Sequence, residues 1–236
     1  MKRIFVILLL TGVLVFLSAC AVKEGDKGPE KKSSNENEQL VLVENKELGI
    51  KISGVNQPSS GMIKPLIVQI GETSQSFNWE NVSNETYYPE LTALDLDNDQ
   101  EQELIIALTL GYGTGIKNSK VHVLKKDFTE IPVPNPQDNA QSKIEDSLDQ
   151  NGEERSYTIT VEGQSSHFTF KEEDAVEWFE KAAVGQSLSY RVEDDEIVAV
   201  LSVQVSPAMV VGDLEIPYKL VDGQFTEQPA RFIASE

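Results

Sequence analysis

The stretch ALDLDNDQEQELIIAL, residues 93–108, places Asp95, Asp97, Asp99, Glu101 and Glu103 on alternate positions between two apolar runs. Carboxylates this close raise one another's pKa unless a cation or water screens them. A hard divalent ion answers that repulsion directly. Calcium takes about six to eight oxygen ligands and favours several carboxylates from one loop. The competing reading is a solvated acidic turn.

Other reactive side chains are few. The chain has two histidines, His122 and His167, and one cysteine, Cys20. His122 alternates with Val121 and Val123 and is expected on a solvated strand face. Ser165 and Ser166 precede His167, but adjacent strand residues point to opposite faces. A Ser-His-Asp triad therefore has no support, and a zinc site lacks its ligands. GYGTG (111–115) follows a strand pattern, yet Gly115 is followed by Ile116-Lys117-Asn118, which fits neither a P-loop nor a dinucleotide loop. It reads as a flexible connection at the sheet's end, beside Asp95. A hydrolase using paired Asp/Glu stays open as an alternative, because among 39 acidic residues some pair always lies at catalytic separation.

The elements that position these residues read mainly as strands. Leu91–Leu96 and Glu103–Leu110 flank the carboxylates. In the second run Leu104, Ile106 and Leu108 line one face and Ile105 and Ala107 the other, the pattern of a central strand. Hairpins are expected at 66–79, 157–170, 187–205 and 214–225, the last turning on Asp222-Gly223. One short helix is expected near 172–183, where Ala175, Trp178, Phe179 and Ala182 sit at i, i+3, i+4 and i+7. The fold class is thus β-rich α+β, built from antiparallel hairpins and sheets. The similar hairpins at 66–79 and 157–170 hint at a duplication, with halves at about 39–135 and 155–236.

The first residues read as an address. Lys2 and Arg3 precede an apolar run from Ile4 to Leu17, which is signal-peptide grammar and too short for a stable membrane span. LSAC (17–20) resembles the lipobox of bacterial lipoproteins. That resemblance implies a signal peptide at 1–19, lipidation of Cys20 and anchoring to the extracytoplasmic face of the cell membrane. Residues 20–38 are polar and read as a flexible tether reaching roughly 25 Å, followed by a folded region at 39–236. The full chain carries −19; without residues 1–19 it has 18 basic and 39 acidic residues, or −21. Such a surface disfavours nucleic acid and anionic lipid.

DLDNDQEQEL resembles the D-x-D-x-D-G-x-x-[DE]-L calcium loop of FG-GAP/VCBS-type repeats. The resemblance implies side-chain oxygens from Asp95, Asp97 and Asp99, a backbone carbonyl from Glu101 and the closing carboxylate from Glu103. The chain departs at the sixth position, where Gln100 replaces a glycine that normally adopts positive φ. Residues 60–234 look like uncharacterised VCBS-like lipoproteins of Gram-positive bacteria. With one such loop, a full propeller of four or more blades is not expected. The implied function is a non-enzymatic, membrane-tethered module that binds an envelope component or protein and is braced by calcium. A cell-envelope glycan hydrolase is the alternative.

Overall fold

Alternating apolar residues and tight turns fold the chain into three sheets made almost wholly of antiparallel hairpins. The computed structural model describes residues 39–235; the proposed signal peptide, Cys20 and the tether to residue 38 lie outside the described residues. A five-stranded sheet contains β1 (Gln39–Asn45), β2 (Ile50–Gln57), β3 (Met62–Ile70) and β4 (Thr73–Phe77) in that order, with β5 (Asn81–Val82) also on β3. A three-stranded sheet holds β10 (Glu145–Asn151), β11 (Glu154–Val161) and β12 (Gln164–Lys171).

The largest sheet has nine strands. Its first part is β6 (Glu90–Leu94), β7 (Glu103–Gly113), β8 (Ile116–Leu124) and the short β9 (Glu130–Ile131). Its second part is β13 (Ala183–Glu193), β14 (Glu196–Ser206), β15 (Met209–Val221), β16 (Gln224–Glu227) and β17 (Arg231–Ala234). The parts meet where β8 runs parallel to β13, through the single pair Asn118 and Leu188. The hairpins at 66–79 and 157–170 sit in different sheets, the five-stranded and the three-stranded one.

Turn chemistry explains the hairpins. Two-residue turns that match strand twist need positive φ at both central positions. Glu162-Gly163 (48° and 76°), Asp194-Asp195 (49° and 61°) and Asp222-Gly223 (50° and 75°) all supply it. Period-two alternation then fills the larger core, with Ile197, Ala199, Leu201, Val203 and Val205 from β14 and Leu214, Ile216, Tyr218 and Leu220 from β15. Tyr157, Ile159 and Val161 of β11 join it. A second core lies under the five-stranded sheet, where Ile52, Ile63, Leu66 and Val68 meet Leu104, Ile106 and Leu108. Strand β7 serves both, since Ile105 belongs to the larger core. Each such buried side chain contributes about 1.5–3 kcal/mol.

The helix expected at 172–183 is absent. Only Glu172–Asp174 forms a 3-10 turn. Beyond it the backbone is held by other elements: the Phe179 amide donates to the Val205 carbonyl (2.8 Å), and the Tyr157 hydroxyl donates to the Phe179 carbonyl (2.5 Å). Trp178 packs on Phe170, with centroids 5.4 Å apart, and its Nε1 donates to the Glu172 carbonyl (3.0 Å). Isolated helices this short are marginal, so long-range bonds and aromatic packing override the apolar spacing. Of the stripe, Ala182 is buried in the larger core and Trp178 packs against it, whereas Ala175 and Phe179 are half-buried, and none of it is α-helical.

Candidate functional site

The acidic loop connects β6 to β7. Leu96, 1% exposed, anchors it in the larger core, and its amide donates to Glu103 Oε2 (3.0 Å). Asp95 organises the rest: Oδ1 accepts from the Asp99 amide (3.1 Å) and Oδ2 from the Gln100 amide (2.9 Å). Asp99 Oδ1 accepts from the Glu101 amide (2.7 Å). The bends require positive φ at Asn98 (61°) and Gln100 (73°). Asparagine tolerates that region, whereas glutamine is strained there by about 1 kcal/mol. Gln100 thus adopts a left-handed backbone that glycine takes at no steric cost.

Asp95, Asp97 and Asp99 each place an oxygen within 4.8 Å of the other two. Asp97 Oδ1 is shut off from solvent and has no hydrogen-bond partner. Glu101 and Glu103 do not join this group. Glu101 is exposed. Glu103 is buried at the start of β7, and burial pushes its carboxyl up, against the Leu96 amide, with the charges of Asp97 and Asp99 adding to the rise. Among the described residues none of these five carboxylates forms an ion pair.

A second acidic cluster has the opposite character. Glu215 on β15 is 6% exposed, yet Arg191 Nη2 lies 2.8 Å from its Oε1 and Arg231 Nε lies 2.5 Å from its Oε2. Both arginines also reach Glu193 Oε2, at 3.0 and 3.1 Å. The protein supplies its own cations here.

His122 is not on a solvated face. It is 4% exposed, stacked on Trp79 (3.8 Å), which in turn stacks on Phe77 (4.0 Å). Its Nδ1 lies 2.6 Å from Glu130 Oε1. Burial pushes the imidazole pKa down, and the Glu130 contact partly opposes that. Alternation with valines located the face of β8 correctly, but a second aromatic layer covers that face too. His167 is on the exposed hairpin surface, with Nδ1 3.0 Å from Thr158 Oγ1. The GYGTG turn is not beside Asp95. The eleven residues of β7 separate them, about 35 Å at ~3.4 Å per residue.

Several clefts indent the surface. One of about 290 Å³ lies between β8 and β13 and includes Ser119, Gln137 and Tyr190. Another of about 290 Å³ lies on the other side of Tyr190, next to Glu90 and Arg191. A cleft of about 250 Å³ adjoins His122, Trp79 and Glu80. A small one of about 100 Å³ sits behind Glu103. Sequence reasoning missed Ser119 and Tyr190, because both look like ordinary strand residues and only the separation of β8 from β13 sets them in a cleft.

In comparison with known proteins, no family model matches the chain, nor does any curated protein or solved structure.

Proposed function

We propose that this protein is an extracytoplasmic, lipid-anchored binding module, without enzymatic activity, whose β-rich body is braced by one calcium ion at the 95–103 loop. The observation that carries the calcium reading is the grouping of Asp95, Asp97 and Asp99, with no cation paired to them among the described residues and with Asp97 Oδ1 buried and unpaired. A buried carboxylate oxygen without a partner is costly, and a bound ion removes the cost. Glu103, whose carboxyl feels the charges of Asp97 and Asp99, is the fourth acidic contributor that the resemblance to FG-GAP/VCBS loops implies. The lipid anchor rests on LSAC and Cys20 alone. The ligand of the module is an envelope component or protein. The hydrolase alternative needs two carboxylates facing each other across a cleft, and each of the four clefts above holds at most one.

Thermal melting in calcium and in EDTA tests the ion. A site with Kd about 0.1 mM gains roughly 1.4 kcal/mol at about 1 mM calcium, or about 3–5 °C for a domain of this size. Asp97→Asn should abolish the difference. Identical midpoints for the wild-type protein in the two buffers would leave only a solvated turn. For the anchor, mass spectrometry of membrane-associated protein should find acylated Cys20, and an unmodified thiol there overturns lipidation.

A further inference from the structure

Beyond the single bridge of Leu188 to Asn118, β8 and β13 part, and the nine-stranded sheet opens into a seam. The cleft of about 290 Å³ in that seam has Val121, Val133 and Leu188 as apolar lining and Ser119, Gln137 and Tyr190 as polar lining. Ser119 is 4% exposed, and its Oγ has no hydrogen-bond partner. Buried hydroxyls are ordinarily paired; this one is shut off from solvent, so a bound molecule completes its bonding after Ser119 turns about χ1 to another staggered rotamer. Gln137 is already fixed, since its Nε2 donates to the Gly185 carbonyl (3.2 Å), which leaves the side-chain oxygen as an acceptor.

The lining restricts the ligand. A cationic ligand calls for a carboxylate, and none lines the cleft. Lys120 is the one charged residue at its border, but strand alternation puts its side chain on the face opposite Ser119 and Val121, where it adjoins His122. The formal charge of −19 also disfavours an anion. A wholly apolar ligand would leave Ser119 Oγ unpaired. What fits is a neutral molecule with hydroxyl or amide groups and one apolar face. The volume lies at the bottom of the range for ligand sites, ~300–1,000 Å³, which limits the occupant to about one ring. Room for about one ring excludes an extended peptide of several residues and admits a ring or the end of a glycan chain.

We infer that the seam between β8 and β13 binds a single neutral sugar ring, with the Ser119 hydroxyl bonded to a ring substituent. The inference deepens the binding-module reading and rests on it, but it uses neither Cys20 nor the acidic loop.

The test is calorimetric titration of the full chain in detergent with glucose, N-acetylglucosamine and a linear tetramer of N-acetylglucosamine. Saturable binding of at least one is expected, weakened about tenfold by Ser119→Ala, as loss of one buried hydrogen bond implies, with the melting midpoint of the free protein unchanged. Tyr190→Phe, which keeps the ring, should weaken it several-fold. Binding of the tetramer identifies a glycan chain as the source, and binding of the monosaccharides alone identifies a free sugar. Absence of saturable binding, equal affinity in both variants, or binding of a neutral tripeptide in place of the sugars overturns the inference. Calcium-dependent melting measured on the same sample separates that failure from failure of the calcium reading.

Discussion

The acidic loop and the Glu215 cluster solve the same electrostatic problem in opposite ways. At Glu215 two arginines reach a buried carboxylate, Arg231 from the adjacent β17 and Arg191 from β13 across β14, so the charge balance is complete within the fold. At Asp95, Asp97 and Asp99 backbone amides take some oxygens, but no side-chain cation approaches among the described residues. His122 with Glu130 is a third case, whose cation exists only when the imidazole is protonated. Where a cluster is purely structural the chain carries the counter-charge itself. The acidic loop has no such internal partner among the described residues, and the proposed calcium ion would take that part.

Removing the internal cations should have the largest effect. Arg191→Met with Arg231→Met leaves buried Glu215 uncompensated and should cost about 3 kcal/mol, or about 6–12 °C in melting temperature. Adding Glu215→Gln should restore most of it, and neither change should alter the calcium response. A double variant melting within about 1 °C of wild type would dissolve the contrast.

The histidine case predicts a pH slope. Burial holds the folded pKa of His122 below the ordinary imidazole value of 6.5, so in that window the unfolded chain binds more protons. Stability should therefore fall as pH drops below about 6.5, and His122→Phe, which keeps the stack on Trp79, should flatten that slope. Glu103 acts in the other sense. Its carboxyl is pushed above 4.5 in the fold, so the ion-free protein should lose stability as pH rises through the window just above 4.5. Glu103→Gln should raise the melting temperature of the calcium-free protein by about 2 °C at neutral pH and shrink the gain from calcium. An unchanged gain would remove Glu103 from the site.

The smallest effect is expected at Gln100. Its φ of 73° is strained for glutamine, and Gln100→Gly relieves that strain. The variant should gain about 0.5 kcal/mol of stability, since the more flexible unfolded chain offsets part of the relief, and should bind calcium within about twofold of wild type. A several-fold rise in affinity would mean that the ion-free loop relaxes away from this geometry.

Strand placement was legible because its signals are local. Asp222-Gly223 and Glu162-Gly163 announce their turns, and the two-faced apolar run at Leu104–Leu108 announces a strand buried on both sides. The helix at 172–183 failed because its decisive bonds, from Phe179 to Val205 and from Tyr157 to Phe179, come from residues more than twenty positions away. His122 was misplaced for a related reason: nothing between Val121 and Val123 reveals that Trp79 will lie over it. The three aspartates were visible from spacing alone, whereas the burial of Glu103 depended on where β7 begins in the sheet. The seam cleft was invisible, since it arises from β8 and β13 pairing at one residue each.

Strand β7 belongs to both hydrophobic cores, with Leu104, Ile106 and Leu108 in one and Ile105 in the other. Neither core can open while the other stays intact without tearing a strand that both need. Unfolding of residues 39–235 should then be a single cooperative event despite three separate sheets, seen as one calorimetric transition. The amide hydrogens of Ile105 and Ile106 should be among the last to exchange with deuterium, at the rate of global unfolding. Because the acidic loop enters this same strand, an ion bound there should slow exchange in both cores alike, rather than only around the loop.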